Sequence, residues 1–203
     1  MWGISFSLHK AHHEFWEENS MKIAIVIGHN SKAQGAVRTT DGRTEFDWNS
    51  ELAGLIAEHN PDCVRVFRRE RGGGYSAEID RVYTKVDAWG ANASIELHFN
   101  GSNNPKANGG ETLSSGSQGS MALAKQIRLR VSNIMRNTDR GIKIKRRHER
   151  GGRSLWQGRA PAVLVEPYFG SNAAECLTAQ MNMDELAEAY YRGAVAFLGK
   201  ECA

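Results

Sequence analysis

The chain has 203 residues, of which 40% are hydrophobic and 24% charged, and its formal net charge is +3. That length fits one domain with a sizeable core, and the composition excludes a collagenous, disordered or disulfide-framework protein. The small positive balance makes no demand for a nucleic-acid partner, and no apolar run is long enough to span a membrane.

Residues 1–20, "MWGISFSLHKAHHEFWEENS", lack a basic start, a long apolar stretch and a small-residue cleavage site, so they are a poor signal peptide. They read as an N-terminal extension, with the domain proper over residues 21–203 beginning at Met21. His9, His12 and His13 within them fit a passive amphipathic extension better than a metal site.

From there strand-like and helix-like runs alternate. The strand-like runs are "KIAIVIG" (22–28), "CVRVF" (63–67), "ASIELHF" (93–99), "GETLSS" (110–115) and "PAVLVE" (161–166). Helical patterns occupy 46–60, 76–90, 117–137, 172–180 and 184–200. In the first of these Leu52, Leu55 and Ile56 repeat at three-to-four spacing. Asn172 with Glu175 three residues on has the form of a capping box. Apolar strands separated by helices predict an α/β domain: a single, mostly parallel twisted sheet flanked by helices on both faces. The cysteines, Cys63, Cys176 and Cys202, are far apart and odd in number, which predicts free thiols.

In an open α/β sheet the site lies beyond the carboxyl ends of the strands. Three strands here end on chemistry-bearing residues: "KIAIVIG" runs into His29, "ASIEL" into His98, and "PAVLV" into Glu166. Glu45 adds a fourth, beside the first helix. Each alone has a plain structural reading, since a glutamate near a helix start is favoured by the helix dipole. Glu166 is harder to explain that way, because a buried carboxylate is costly unless paired, protonated or metal-bound. Two histidines and a carboxylate are a catalytic zinc set that leaves a position for water, with the second carboxylate as general base.

The same residues carry a family resemblance over about residues 22–199. The chain resembles the zinc-dependent N-acetylmuramoyl-L-alanine amidases of the type-3 catalytic-domain family, which cut peptidoglycan. That family opens with a strand leading to Gly-His, then a Gly-Ala pair and a glutamate before a helix; here these are Gly28-His29, Gly35-Ala36 and Glu45. Its S-I-H-x-N strand end corresponds to "ELHFN", with His98 and Asn100. Its closing V-E, aromatic and Ser-Asn correspond to "AVLVEPYFGSN", with Glu166, Phe169, Ser171 and Asn172. "NGGET" (108–112) and "RGIK" (140–143) fall where the family has similar pieces. Asn30-Ser31 replace a frequent Gly-Gly, and Tyr168 replaces a usual glycine; both changes touch loop shape.

The resemblance implies a zinc-exopeptidase-like, phosphorylase/hydrolase-like fold and one Zn2+ per chain held by His29, Glu45 and His98, with Glu166 catalytic. It implies a peptidoglycan substrate, glycan with stem peptide, and hydrolysis of the amide between N-acetylmuramic acid and L-alanine. The basic stretch 143–159 carries seven Lys or Arg against one Glu. Arg146 and Arg147 in it, together with Asn100, are candidate substrate-binding residues. The stretch has only Trp156 as an aromatic, too little interleaving for single-strand nucleic-acid binding. The expected setting is a phage endolysin made in the cytoplasm and acting on periplasmic peptidoglycan once the membrane is opened, with no nucleic acid and no stable membrane insertion. The rival readings are a carboxypeptidase-like or small N-acyl amino acid amidohydrolase on a related scaffold, and a non-catalytic wall- or nucleic-acid-binding module.

Overall fold

The computed structural model describes residues 21–199; the expectations for residues 1–20 and for Cys202 lie outside them. Six strands form one sheet: β1 (Ile23–Ile27), β2 (Val64–Arg68), β3 (Ala93–Leu97), β4 (Gly110–Ser114), β5 (Asp139–Ile144) and β6 (Ala162–Glu166), in the order β2-β1-β3-β6-β4-β5. The pairs β1–β2, β1–β3, β3–β6 and β4–β5 are parallel, and β4–β6 is antiparallel. The helices among the described residues are α1 (Glu45–Glu58), α2 (Gly74–Trp89), α3 (Gln118–Met135), α4 (Gly152–Gln157), α5 (Ala173–Met181) and α6 (Met183–Leu198).

The central strands are apolar on both faces because both are covered. Ile23, Ile25, Ile27, Ile95, Leu97, Val163 and Val165 pack under α1, α3, α5 and α6, against Trp48, Leu52, Leu123, Ile127, Leu186 and Tyr190. On the other face Ala24, Val26 and Phe67 meet Ile79, Val82, Tyr83 and Val86 of α2. Leu113 and Leu164 meet Leu155 of α4. The two-residue alternation of a strand puts Glu96 and His98 on this second face, with Leu164, Glu166, Glu111 and Leu113 beside them through the pairings Glu96–Leu164, Leu113–Leu164 and Glu111–Glu166.

Local signals end the elements as their chemistry dictates. Thr44 caps α1, its hydroxyl accepting from the Asp47 amide at 3.1 Å. Asn172 caps α5, its Oδ1 accepting from the Glu175 amide. The other half of the expected capping box is absent. The buried Glu175 carboxylate instead accepts from the amides of Gly109 and Phe169 and from Asn137 Nδ2, joining three loops. Cys176 is a free, buried thiol. Cys63 is disulfide-bonded, a departure from the expected free thiols, since linear spacing does not tell which sulfurs meet in space. Among the described residues no helix is long and apolar enough to cross a membrane.

Candidate metal centre and active-site cleft

His29 follows β1 directly, and its φ of +67° is one of two positive values at non-glycine residues among those described. A left-handed residue other than glycine costs roughly 1–2 kcal/mol, so something has to hold it. Asn30 does part of this: its Oδ1 accepts from the amides of Lys32 and Ala33, closing the turn behind the histidine. Two glycines make room in front. A Cβ on Gly28 would lie 2.4 Å from the His98 ring, and one on Gly35 would lie 2.6 Å from Glu45 Oε2 and 2.7 Å from the His29 ring. The chain therefore reads Gly28-His29 because two imidazoles must approach across that backbone.

Glu45 opens α1 and is 3% exposed. Its Oε2 lies 3.1 Å from His29 Nε2 and its Oε1 lies 2.6 Å from His98 Nδ1. The carboxylate also accepts from the amides of Ala36 and Phe99. Ligand atoms of His29, Glu45 and His98 all fall within 4.8 Å of one another. The rings of the two histidines meet edge to face at 5.1 Å between centroids. Two imidazole nitrogens and a carboxylate oxygen converging on one point fit a tetrahedral zinc with an open fourth position.

The charges agree with a centre made for a cation. Burial opposes the charge on Glu45, yet hydrogen bonds from His29 and His98 hold its carboxyl well below the usual carboxylate range. Burial likewise opposes a charged His98, but Glu45 and Glu96 on its two nitrogens push it up to about 10.

Glu166 ends β6, facing the same cleft. Burial is the main reason its carboxyl is pushed up to about 7; Glu111 and Glu45 add to the shift and His98 opposes it. Glu111 is its cross-strand partner, and the Arg140 Nε–H donates to it at 2.8 Å. Burial alone would raise Glu111, but Arg140 outweighs it and keeps that carboxyl lowered. Two adjacent carboxyls with opposite tendencies make an ionised neighbour and a group poised to trade protons near neutrality.

His29, Glu45, His98, Asn100 and Glu166 all line one cleft of about 570 Å³, which runs from the strand ends down the face under α2 and α4. The structure brings four of the chemistry-bearing residues and Asn100 together, and part of the basic stretch with them. The cations from that stretch on the cleft wall are Lys145 and Arg150. Arg146 and Arg147 are exposed and do not line it: the Arg146 amide donates to Glu149 and the Arg147 guanidinium to Gln157. Sequence reasoning missed Glu111, Arg69 and Glu96. The signal for Glu96 was a charged residue inside the apolar run "ASIELHF", two positions before a histidine and hence on its face.

Residues 23–196 match the family described as N-acetylmuramoyl-L-alanine amidase. No curated protein sequence matches the chain. Among solved structures, the fold is similar to the catalytic domain of CwlV, an N-acetylmuramoyl-L-alanine amidase from Bacillus (Paenibacillus) polymyxa var. colistinus. That match has 24% identity, a TM-score of 0.73, and covers 89% of this chain and 100% of the other. The catalytic domain of an endolysin targeting Clostridia difficile matches at 23% identity and TM-score 0.73, covering 90% and 99%. The CwlD amidase of Clostridioides difficile, solved with the GerS lipoprotein, matches at 22% and 0.72, covering 88% and 98%. With the family matched across nearly the whole described domain, the chain belongs to the N-acetylmuramoyl-L-alanine amidases.

Proposed function

We propose that this protein uses one Zn2+, held by His29, Glu45 and His98, to hydrolyse the amide between the lactyl group of N-acetylmuramic acid and L-alanine in peptidoglycan. The observation that carries the reading is the convergence of those three side chains with Glu166 in one open cleft. When bound, zinc supplies Lewis acidity, lowering the pKa of water from about 15.7 to about 7 and polarising the scissile carbonyl. Glu166 takes the proton of the attacking water and delivers it to the departing α-amine of L-alanine, as general base and then general acid. The products are a glycan carrying a free lactyl carboxylate and a stem peptide with a free amine. Asn100, which lines the same cleft, contributes to substrate binding in this reading. Lys145 and Arg150, in place of Arg146 and Arg147, face the stem-peptide carboxylates. A role in phage-driven lysis is supported by the likeness in fold to an endolysin domain.

The test is mass spectrometry of purified peptidoglycan after incubation with the protein, with and without a chelator. Free stem peptides and peptide-free glycan, formed only without chelator, are expected. Unchanged peptidoglycan from zinc-loaded protein that cleaves a small N-acyl amino acid would overturn the substrate in favour of an amidohydrolase.

A further inference from the structure

Behind the cleft a chain of four side chains runs from one histidine to the other. At one end Glu96, 1% exposed in the centre of the sheet, has its Oε1 at 2.9 Å from His98 Nε2 and accepts from the Tyr83 hydroxyl at 3.1 Å. At the other end Asn30, 4% exposed, closes the turn that carries His29 and donates from Nδ2 to Glu78 Oε2 at 2.9 Å. Between them stands Arg69, just beyond β2. Its guanidinium lies 3.2 Å from Glu78 Oε2 and 4.0 Å from Glu96 Oε1, and it sits over the Tyr75 ring at 5.0 Å. The second oxygen of Glu78 accepts from the Gly72 amide. The order is His98–Glu96–Arg69–Glu78–Asn30–His29.

This arrangement is an odd way to fill space. Buried ion pairs are frequently no more stabilising than apolar groups of the same shape, and this one adjoins the apolar layer of Val26, Phe67 and Ile79. What it supplies is orientation. With Nε2 donating to Glu96, His98 presents the lone pair of Nδ1 on the side of Glu45, the arrangement by which a carboxylate sets the tautomer and angle of a metal-bound histidine. Asn30 does the corresponding work for His29 through the backbone, keeping the turn at the positive φ that aims the ring into the centre.

We propose that Arg69 is a positioning residue that couples the two histidines, holding Glu96 and Glu78 at once so that the His98 ring and the His29 turn are fixed together. The proposal rests on the metal reading of the centre and is independent of which bond is cut. Its primary readout is zinc affinity by chelator competition on folded protein, checked by circular dichroism and thermal melts.

Loss of a partner behind a metal ligand typically weakens binding about 10–100-fold. Arg69→Met is expected in that range, and Arg69→Lys, which cannot reach both carboxylates with one fork, is expected to recover little of it. Glu96→Gln and Asn30→Ala should each weaken zinc. Made together in the Arg69 protein they should cost less than the product of the two effects, and that non-additivity should vanish in the Arg69→Met background. Should Arg69→Met fail to fold, the cycle between Glu96→Gln and Asn30→Ala alone decides. Wild-type zinc affinity in a folded Arg69→Met, or losses at the two ends that simply multiply, would overturn the coupling. A protein that binds zinc tightly but cuts a different amide overturns the amidase reading and leaves this proposal standing. One that binds no zinc overturns both.

Discussion

Replacing Gly28 by alanine adds one methyl group where the structure has no room for it. The new Cβ would lie 2.4 Å from both Cε1 and Nε2 of His98 and 2.5 Å from the Leu97 carbonyl oxygen. Carbon atoms in good contact sit about 3.5–4 Å apart, so the ring or the backbone has to move by about 1 Å. The ring is not free to yield, because Glu45 and Glu96 hold its two nitrogens at 2.6 and 2.9 Å. Overpacking of this kind costs roughly 1–3 kcal/mol, against a total stability of about 5–15 kcal/mol for a domain, so the variant still folds. The metal centre suffers more, since ligand distances are tolerated only within about 0.2 Å. A zinc affinity lower by about 100-fold is expected, with a urea midpoint only modestly reduced. Chelator competition and equilibrium unfolding measure the two quantities separately. Gly54→Ala is the control: apart from the surrounding backbone of its own helix no atom lies within 4 Å of its added Cβ, and a glycine inside α1 weakens the helix by about 0.5–1 kcal/mol. That variant should be slightly more stable, with zinc affinity untouched. If Gly28→Ala binds zinc like the wild type and melts at the same point, the close approach of His98 to this backbone is wrong.

Three further outcomes are expected. Glu166→Gln should lower kcat by about 10²–10⁴-fold, the usual contribution of general acid–base catalysis, while elemental analysis finds the same zinc content. Glu111→Gln removes a negative neighbour that raises the Glu166 carboxyl, so Glu166 should lose its proton at lower pH. The acid limb of the kcat/KM profile should then move to lower pH than in the wild type; a limb that stays put or moves up would separate the two carboxyls. Lys145→Gln combined with Arg150→Gln should raise KM for stem-peptide-bearing substrate about three- to tenfold with little change in kcat, as expected for losing two partly solvated charge contacts. The same double variant should flatten the salt dependence of KM, whereas Arg146→Gln with Arg147→Gln should change neither.

The central strands were legible because burial on both faces writes itself as an unbroken apolar run, as in Ile23–Ile27 and Ala162–Glu166. His29, His98 and Glu166 were legible for the same reason, standing where those runs stop. β5 was hidden: as an edge strand, "DRGIKI" is largely exposed and carries the charges that edges use against unwanted pairing. The six-residue α4 was hidden too, starting at Gly152 without a side-chain cap inside a stretch that reads as a basic loop. The partners behind the metal centre could not be read from pattern at all. Arg69, Glu78 and Glu96 come from a loop, a helix and a strand, and only the packing of α2 on the sheet makes them neighbours. That Lys145 and Arg150 line the cleft while Arg146 and Arg147 do not depends on how one loop turns, which local composition does not encode.

The reversed direction of β4 has a further consequence. Because β4 runs opposite to β3 and β6, the chain leaving His98 does not have to travel back along the sheet to begin its next strand. It steps over the end of β6 and stays beside the cleft until Gly110. Its two ends are moored: the Asn100 amide donates to the Tyr168 carbonyl, and the Gly110 amide donates to the Thr138 carbonyl. The Ala107 carbonyl is a third mooring, accepting from Asn172 Nδ2 at 3.1 Å, so the exposed residues 103–106 are the part that can change length without shifting any strand. A graft there would hang over the reacting atoms while the sheet beneath kept its register, which makes this segment the place to fit the enzyme with a new specificity loop or a removable cover.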